Sequence, residues 1–210
     1  MHPYDFPLHT ESVTGNMHDY FDFVNKNYFE ICKGRRILEV GPLFGEHTKL
    51  IANHNPNYLE CVEGNPQMSS YLEKIPCAKV VIDDIWLNSM SKLFDIVVCF
   101  GVLYHHHSAL HLLELFVNLN DPEYIMLDCV TAEHPLAYLP EQISLIGSRA
   151  VRPNWKHCGV NFKPPFFVCN MALINMGYKL EKVNKLQSTW VPKSNGWVAR
   201  WKKSQNEQSI

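Results

Sequence analysis

Ile37-Leu38-Glu39-Val40-Gly41-Pro42-Leu43-Phe44-Gly45-Glu46-His47-Thr48 decides how the rest of the chain reads. ILEV (37–40) is a short apolar run of strand length, and EHTKLIANH (46–54) has helical periodicity. Between them Gly41 permits a sharp turn, and Gly45 lets a ligand lie against the backbone. A strand, a glycine turn and a helix N-terminus make a ligand crevice at the carboxyl end of a parallel sheet, or equally an ordinary βα turn. A dinucleotide fingerprint would need glycine at positions 43 and 46, which hold Leu43 and Glu46, and the Gly-Lys-Ser/Thr of a phosphate loop is absent. Glu46 at the helix start would also repel a pyrophosphate. The loop therefore suits a ligand without phosphates.

Outward from this unit, strands and helices alternate. YLECVE (58–63), KVVID (79–83), FDIVVCF (94–100) and YIMLDCV (124–130) read as strands. PQMSSYLEKI (66–75), with Pro66 in its first turn, and SALHLLELFVNL (108–119) read as helices. This alternation predicts an α/β fold, a parallel sheet covered on both faces. Residues 17–32 read as a helix ended by Gly34, and residues 1–15, rich in Pro, His and Tyr, as irregular. Residues 131–165 hold five prolines and no periodic run, and read as an insertion over the site. A helix over 166–178, closed by Gly177, precedes strands KLEKVNKL (179–186) and GWVARWKK (196–203), which form an antiparallel addition. The 210 residues make one domain.

The ends of successive strands carry polar groups. Glu63 can accept both hydroxyls of a ribose, although a solvent-facing charge is the commoner role at a strand end. Asp83-Asp84-Ile85 follows the third strand, where a carboxylate can accept an adenine amine or simply cap a turn. Phe100-Gly101-Val102-Leu103-Tyr104-His105-His106-His107 follows the fourth. Each signal is weak alone; their order along one sheet edge is far more specific.

Together these residues resemble the class I S-adenosylmethionine-dependent methyltransferases. Glu39-x-Gly41-x-x-x-Gly45-x-x-Thr48 is similar to their motif I, Glu63 to the ribose-binding acid and Asp84-Ile85 to the adenine-contact pair. Phe94-Asp95-Ile96-Val97 leading to Gly101-Val102-Leu103-Tyr104-His105 is similar to motif IV and the segment after it. That last run, with Asn161-Phe162-x-Pro164, also resembles the tRNA wobble-uridine carboxymethyltransferase subgroup, whose large N-terminal extension has no counterpart here. Motif I departs from the family at its middle glycine, here Leu43.

The resemblance implies a Rossmann-like sheet of seven strands, mostly parallel, in the order 3-2-1-4-5-7-6 with only the last strand antiparallel. It implies S-adenosyl-L-methionine as cofactor, with S-adenosyl-L-homocysteine as product. The implied cofactor contacts are Glu39, Gly41, Pro42, Gly45, Thr48, Glu63, Gly64, Asn65, Asp84, Ile85, Phe100, Gly101 and Tyr104. Tyr104 and His105 are the catalytic candidates, and Arg149 and Trp155 in the 131–165 insertion the substrate candidates. Residues 1–33 and 131–165 are expected to lie over the active site.

Composition bounds the rest. Lys plus Arg is 19 and Asp plus Glu 21, a net charge of −2, which disfavours a strongly basic nucleic-acid module. The expected acceptor is therefore a small molecule, with RNA the less favoured alternative. A catalytically silent cofactor-binding module or partner subunit is the other, and only turnover separates it from an enzyme. The seven cysteines form no Cys-x-x-Cys pair, which argues against a zinc ribbon or disulfide framework and for a reducing compartment. Three consecutive histidines rarely present all rings to one ion, so no metal is expected. With no signal peptide and no apolar window of membrane length, the expected location is the cytoplasm.

Overall fold

A computed structural model of the chain describes residues 12–15, 17–76, 78–82, 93–103, 108–131, 164–188 and 195–204. In chain order the elements are β1 (Ser12–Gly15), α1 (Met17–Asn27), a 3-10 turn (Phe29–Cys32), β2 (Arg36–Val40), α2 (Glu46–Asn53) and β3 (Tyr58–Glu63). A 3-10 turn (Pro66–Met68) runs into α3 (Ser69–Leu72), followed by β4 (Ala78–Ile82), β5 (Ile96–Cys99), α4 (Ala109–Asn120), β6 (Tyr124–Thr131), α5 (Phe166–Asn175), β7 (Tyr178–Ser188) and β8 (Asn195–Lys203).

The strands form one sheet in the order β1-β7-β8-β6-β5-β2-β3-β4. Numbered from β2, seven of them stand as 3-2-1-4-5-7-6, the expected order. β8 alone runs antiparallel to its neighbours β6 and β7. β2 lies between β3 and β5, so the chain leaves it in one direction and returns on its other side. This reversal opens a crevice between the carboxyl ends of β2 and β5.

Side-chain alternation divides the core between the two faces. Val97 and Cys99 of β5 pack with Leu112, Leu113 and Phe116 of α4 and with Phe166, Cys169 and Leu173 of α5. Ile96 and Val98 face the other way, against Val24 of α1, Tyr28, Phe29 and Ile51 of α2. A strand buried on both faces reads as a continuous apolar run, as IVVC does.

Four sequence expectations are corrected. The N-terminal stretch is not wholly irregular: Ser12–Gly15 adds an eighth strand, parallel to Lys185–Ser188 at the sheet edge. Four residues are too few to show alternation. The expected helix 17–32 divides at Tyr28, whose backbone leaves the helix (φ −126°) as its fully buried ring enters the core. The expected helix 66–75 is a 3-10 turn and a single α turn. The final helix stops at Asn175, short of the expected 178, while Gly177 closes it as expected with φ +89°.

Candidate functional site

The turn after β2 is built on left-handed backbone. Gly41 has φ +69°, and a Cβ there would lie 2.3 Å from Cγ2 of Val102. Gly41 therefore serves both the turn and the close approach of the loop following β5. Gly45 has φ +79° and caps α2, and a Cβ on it would meet Cδ1 of Ile75 at 2.4 Å. The space opened by Gly45 is filled by Ile75 and Leu72, so its missing side chain serves packing, not the ligand approach expected of it. Leu43 holds φ +53° although it carries a side chain. It is half exposed, as is Phe44 beside it. Such strain of about 1–2 kcal/mol persists where surrounding bonds over-determine the backbone.

Glu63 supplies that constraint. It is buried at the end of β3, and its Oε2 accepts the Leu43 N–H at 2.9 Å. Its Oε1 accepts the Asn65 N–H at 2.8 Å. One carboxylate thus fixes two loops at the carboxyl edge. A carboxylate offers about four lone-pair directions, so these bonds are compatible with further donors. The side chain of buried Asn65 accepts from Gln67 N at 3.2 Å and caps the turn beginning at Pro66.

Glu39 stands opposite Cys61 in the β2–β3 register and is buried. The Cys61 thiol donates to its Oε2 at 3.5 Å. Burial pushes the Glu39 carboxyl up to about 7; hydrogen bonds from Thr48 and Cys61 oppose the rise and the nearby Glu63 charge adds to it. Thr48 is fully buried beneath the loop, where it supports Glu39. Pro42 is also buried, while Gly64 is exposed at the turn after β3.

On the other side of the crevice Phe100 is buried and stacks on Phe29 with ring centroids 5.8 Å apart. Gly101 has φ +74°, and its N–H donates to Oδ1 of Asp128 at 2.5 Å. Oδ2 of Asp128 accepts the Tyr20 hydroxyl, also at 2.5 Å. Burial pushes the Asp128 carboxyl up to about 6, against the pull of those two bonds. His47, in the first turn of α2, stands edge-on to Phe21, Phe100 and Tyr20 at 5.0, 5.2 and 5.7 Å. Burial lowers its pKa to about 4, so the ring is neutral, and its Nε2 has no hydrogen-bond partner.

The fold therefore gathers Glu39, Gly41, Pro42, Gly45, Thr48, Glu63, Gly64, Asn65, Phe100 and Gly101 at the ends of three adjacent strands, β3, β2 and β5. Asp84, Ile85, Tyr104, His105, Arg149 and Trp155 lie outside the described residues. Sequence reading passes over Asp128 and His47, and takes Tyr20 only as part of the aromatic N-terminal segment expected over the site. Asp128 does leave a signal: it is the lone charge in the otherwise apolar run YIMLDCV. Among the described residues no group of three His, Cys, Asp or Glu side chains could hold a metal ion.

Comparison of whole structures gives strong matches. The N-terminal domain of EvdMO1, solved with S-adenosylhomocysteine bound, superposes with a TM-score of 0.65 at 17% identity, over 91% of this chain and 86% of that one. The N-methyltransferase NodS from Bradyrhizobium japonicum WM9, also in complex with S-adenosylhomocysteine, gives 0.65 at 14% identity over 92% and 91%. The magnesium protoporphyrin IX methyltransferase of Synechocystis PCC 6803 gives 0.62 at 12% identity over 96% and 91%. The fold is that of the class I methyltransferases. No family model matches the sequence, and no curated protein matches it by sequence either. Among the described residues, no helix is long and apolar enough to cross a membrane.

Proposed function

We propose that this chain is an S-adenosylmethionine-dependent methyltransferase acting on a small-molecule acceptor. The observation that carries the reading is the convergence of Glu39, Glu63 and a left-handed glycine turn at the crevice between β2 and β5. This donor set fits the cofactor. Two carboxylates and no phosphate loop suit a ligand that is cationic at sulfur, carries a vicinal diol and lacks phosphate. Glu63 would hold the ribose, Gly41 and its neighbours the methionine part, Asp84 and Ile85 the adenine, and Phe100 would wall the pocket.

When bound, the cofactor supplies a methyl group already activated as a sulfonium. The chain's own task is to hold the acceptor in line with that methyl, and proximity of this kind supplies up to about 7–11 kcal/mol. Tyr104 and His105 follow the Gly101 turn and are the groups proposed to take or orient an acceptor proton. Arg149 and Trp155 are proposed for the substrate wall, by charge-assisted bonding and stacking. Five buried free cysteines suit a reducing compartment, and we infer the cytoplasm.

The test is transfer of labelled methyl from S-adenosylmethionine to a panel of phenols, amines, sugar derivatives and bulk tRNA. The reading expects label on a small acceptor. It also expects Arg149→Ala and Trp155→Ala to impair transfer while changing cofactor affinity by less than about threefold, since neither is placed at the cofactor. Label on tRNA alone, with binding that falls steeply as salt rises, would instead support the RNA alternative.

A further inference from the structure

Asp128 joins three segments remote in sequence. Tyr20 of α1 and Gly101 after β5 bond opposite oxygens of its carboxylate, across sequence separations of 108 and 27 residues. In the β5–β6 register Cys99 pairs with Leu127, which sets Asp128 level with Phe100 at the carboxyl edge. An ionised carboxylate in a strand of apolar residues is costly unless donors converge on it, and here two do. Helix α1 has a second attachment on the opposite side of the crevice. There the Tyr20 and Phe21 rings pack edge-on against His47, in the first turn of the helix following the Gly41–Gly45 turn. α1 thus touches the α2 side through His47 and the β5–β6 side through Asp128.

We propose that Asp128 is a positioning residue that clamps α1 across the crevice and sets the backbone of the Gly101 turn, from which the chain runs on to Tyr104 and His105. The clamp stands on the bonds themselves; its consequence for the cofactor rests on the function proposed above. Tyr20→Phe keeps the ring that packs on His47 and removes only the hydroxyl that bonds Asp128. That makes the proposal separable from simple packing of α1.

Amide hydrogen exchange and calorimetry with S-adenosylhomocysteine on Tyr20→Phe, Asp128→Asn, Asp128→Ala and the Tyr20→Phe/Asp128→Asn double variant test it. The clamp predicts that Tyr20→Phe speeds exchange at Gly101 by about tenfold, the scale of one charge-assisted bond. The double variant should do no more than Asp128→Asn alone, because both changes break one bridge. Asp128→Asn keeps an oxygen for the Gly101 N–H and should recover part of what Asp128→Ala loses. S-adenosylhomocysteine affinity should fall in the same order. Unchanged Gly101 exchange in Tyr20→Phe, or multiplicative effects in the double variant, would overturn the clamp. Tyr20→Phe alone decides the matter if the Asp128 variants do not fold. Should wild-type protein bind no S-adenosylhomocysteine, the cofactor reading falls while the exchange result still judges the clamp.

Discussion

The two faces of the sheet differ in what they bury. On β6, Ile125, Leu127 and Cys129 join a core made by α4 and α5 side chains with Trp197 and Trp201 of β8. Tyr124 and Met126 face the other way, toward Tyr28, Phe29 and Phe100, and alternation puts Asp128 with them. The first face contains hydrocarbon, aromatic rings, thiols and the Trp197 indole nitrogen, which is buried without a hydrogen-bond partner. The second also carries Glu39 and Asp128, two carboxyls pushed toward neutrality by burial, and the neutral ring of His47 with an unpartnered nitrogen. The two carboxyls and the imidazole perturbed by burial lie on the second face, beside the crevice, where perturbed acids and bases point to function.

Separating the faces by mutation should give effects of different kinds. The largest loss of stability is expected on the apolar face. Phe116→Ala, at a fully buried position of α4, should cost about 3–5 kcal/mol in denaturant unfolding. S-adenosylhomocysteine affinity of the folded fraction should not change.

On the polar face Glu39→Gln should act in the opposite direction. The folded state holds the Glu39 proton up to about 7, against 4.5 for the unpaired side chain. Its contribution to stability is thus greatest below about pH 4.5 and is lost as pH rises through about 7. At pH 8 the glutamine variant should be the more stable apoprotein, by up to about 3 kcal/mol, the limit set by that difference. The gain should vanish at pH 4. Equal effects at both pH values would mean that Glu39 is not the titrating group.

The smallest effect is expected at the strained loop. Leu43→Gly relieves a left-handed backbone cost of about 1–2 kcal/mol but adds about 0.5–1 kcal/mol of unfolded-chain entropy. A net gain under about 1 kcal/mol should appear in apoprotein melting. Asn55 and Asp121 also have positive φ, yet glycine there should gain less, since their side chains tolerate that region.

The legibility of the sequence divides along the same line. Apolar periodicity identifies every strand from β2 to β8, because the first face requires continuous burial and little else. The turn residues Gly41 and Gly45 are legible for their conformation, but not for their neighbours: Val102 and Ile75 fill the glycine spaces from loops 61 and 30 residues away along the chain. Glu63 is recognisable by its place at a strand end, whereas its bond to Leu43 N depends on how two loops meet in space. β1 escapes the sequence pattern because an edge strand of four residues draws its bonds from β7 and needs no pattern of its own. Tyr20 and Asp128, 108 residues apart, find each other only in the folded sheet.

The reading of the site turns on whether the crevice between β2 and β5 binds S-adenosylmethionine through Glu63. Calorimetry of the wild-type chain and Glu63→Ala, titrated with S-adenosylmethionine, S-adenosylhomocysteine and NADH, decides it. One site per chain is expected for the first two ligands, weakened in Glu63→Ala by on the order of 1–3 kcal/mol as charged hydrogen bonds are lost. Folded wild-type protein that binds neither ligand at millimolar concentration, or that binds NADH more tightly, would contradict it.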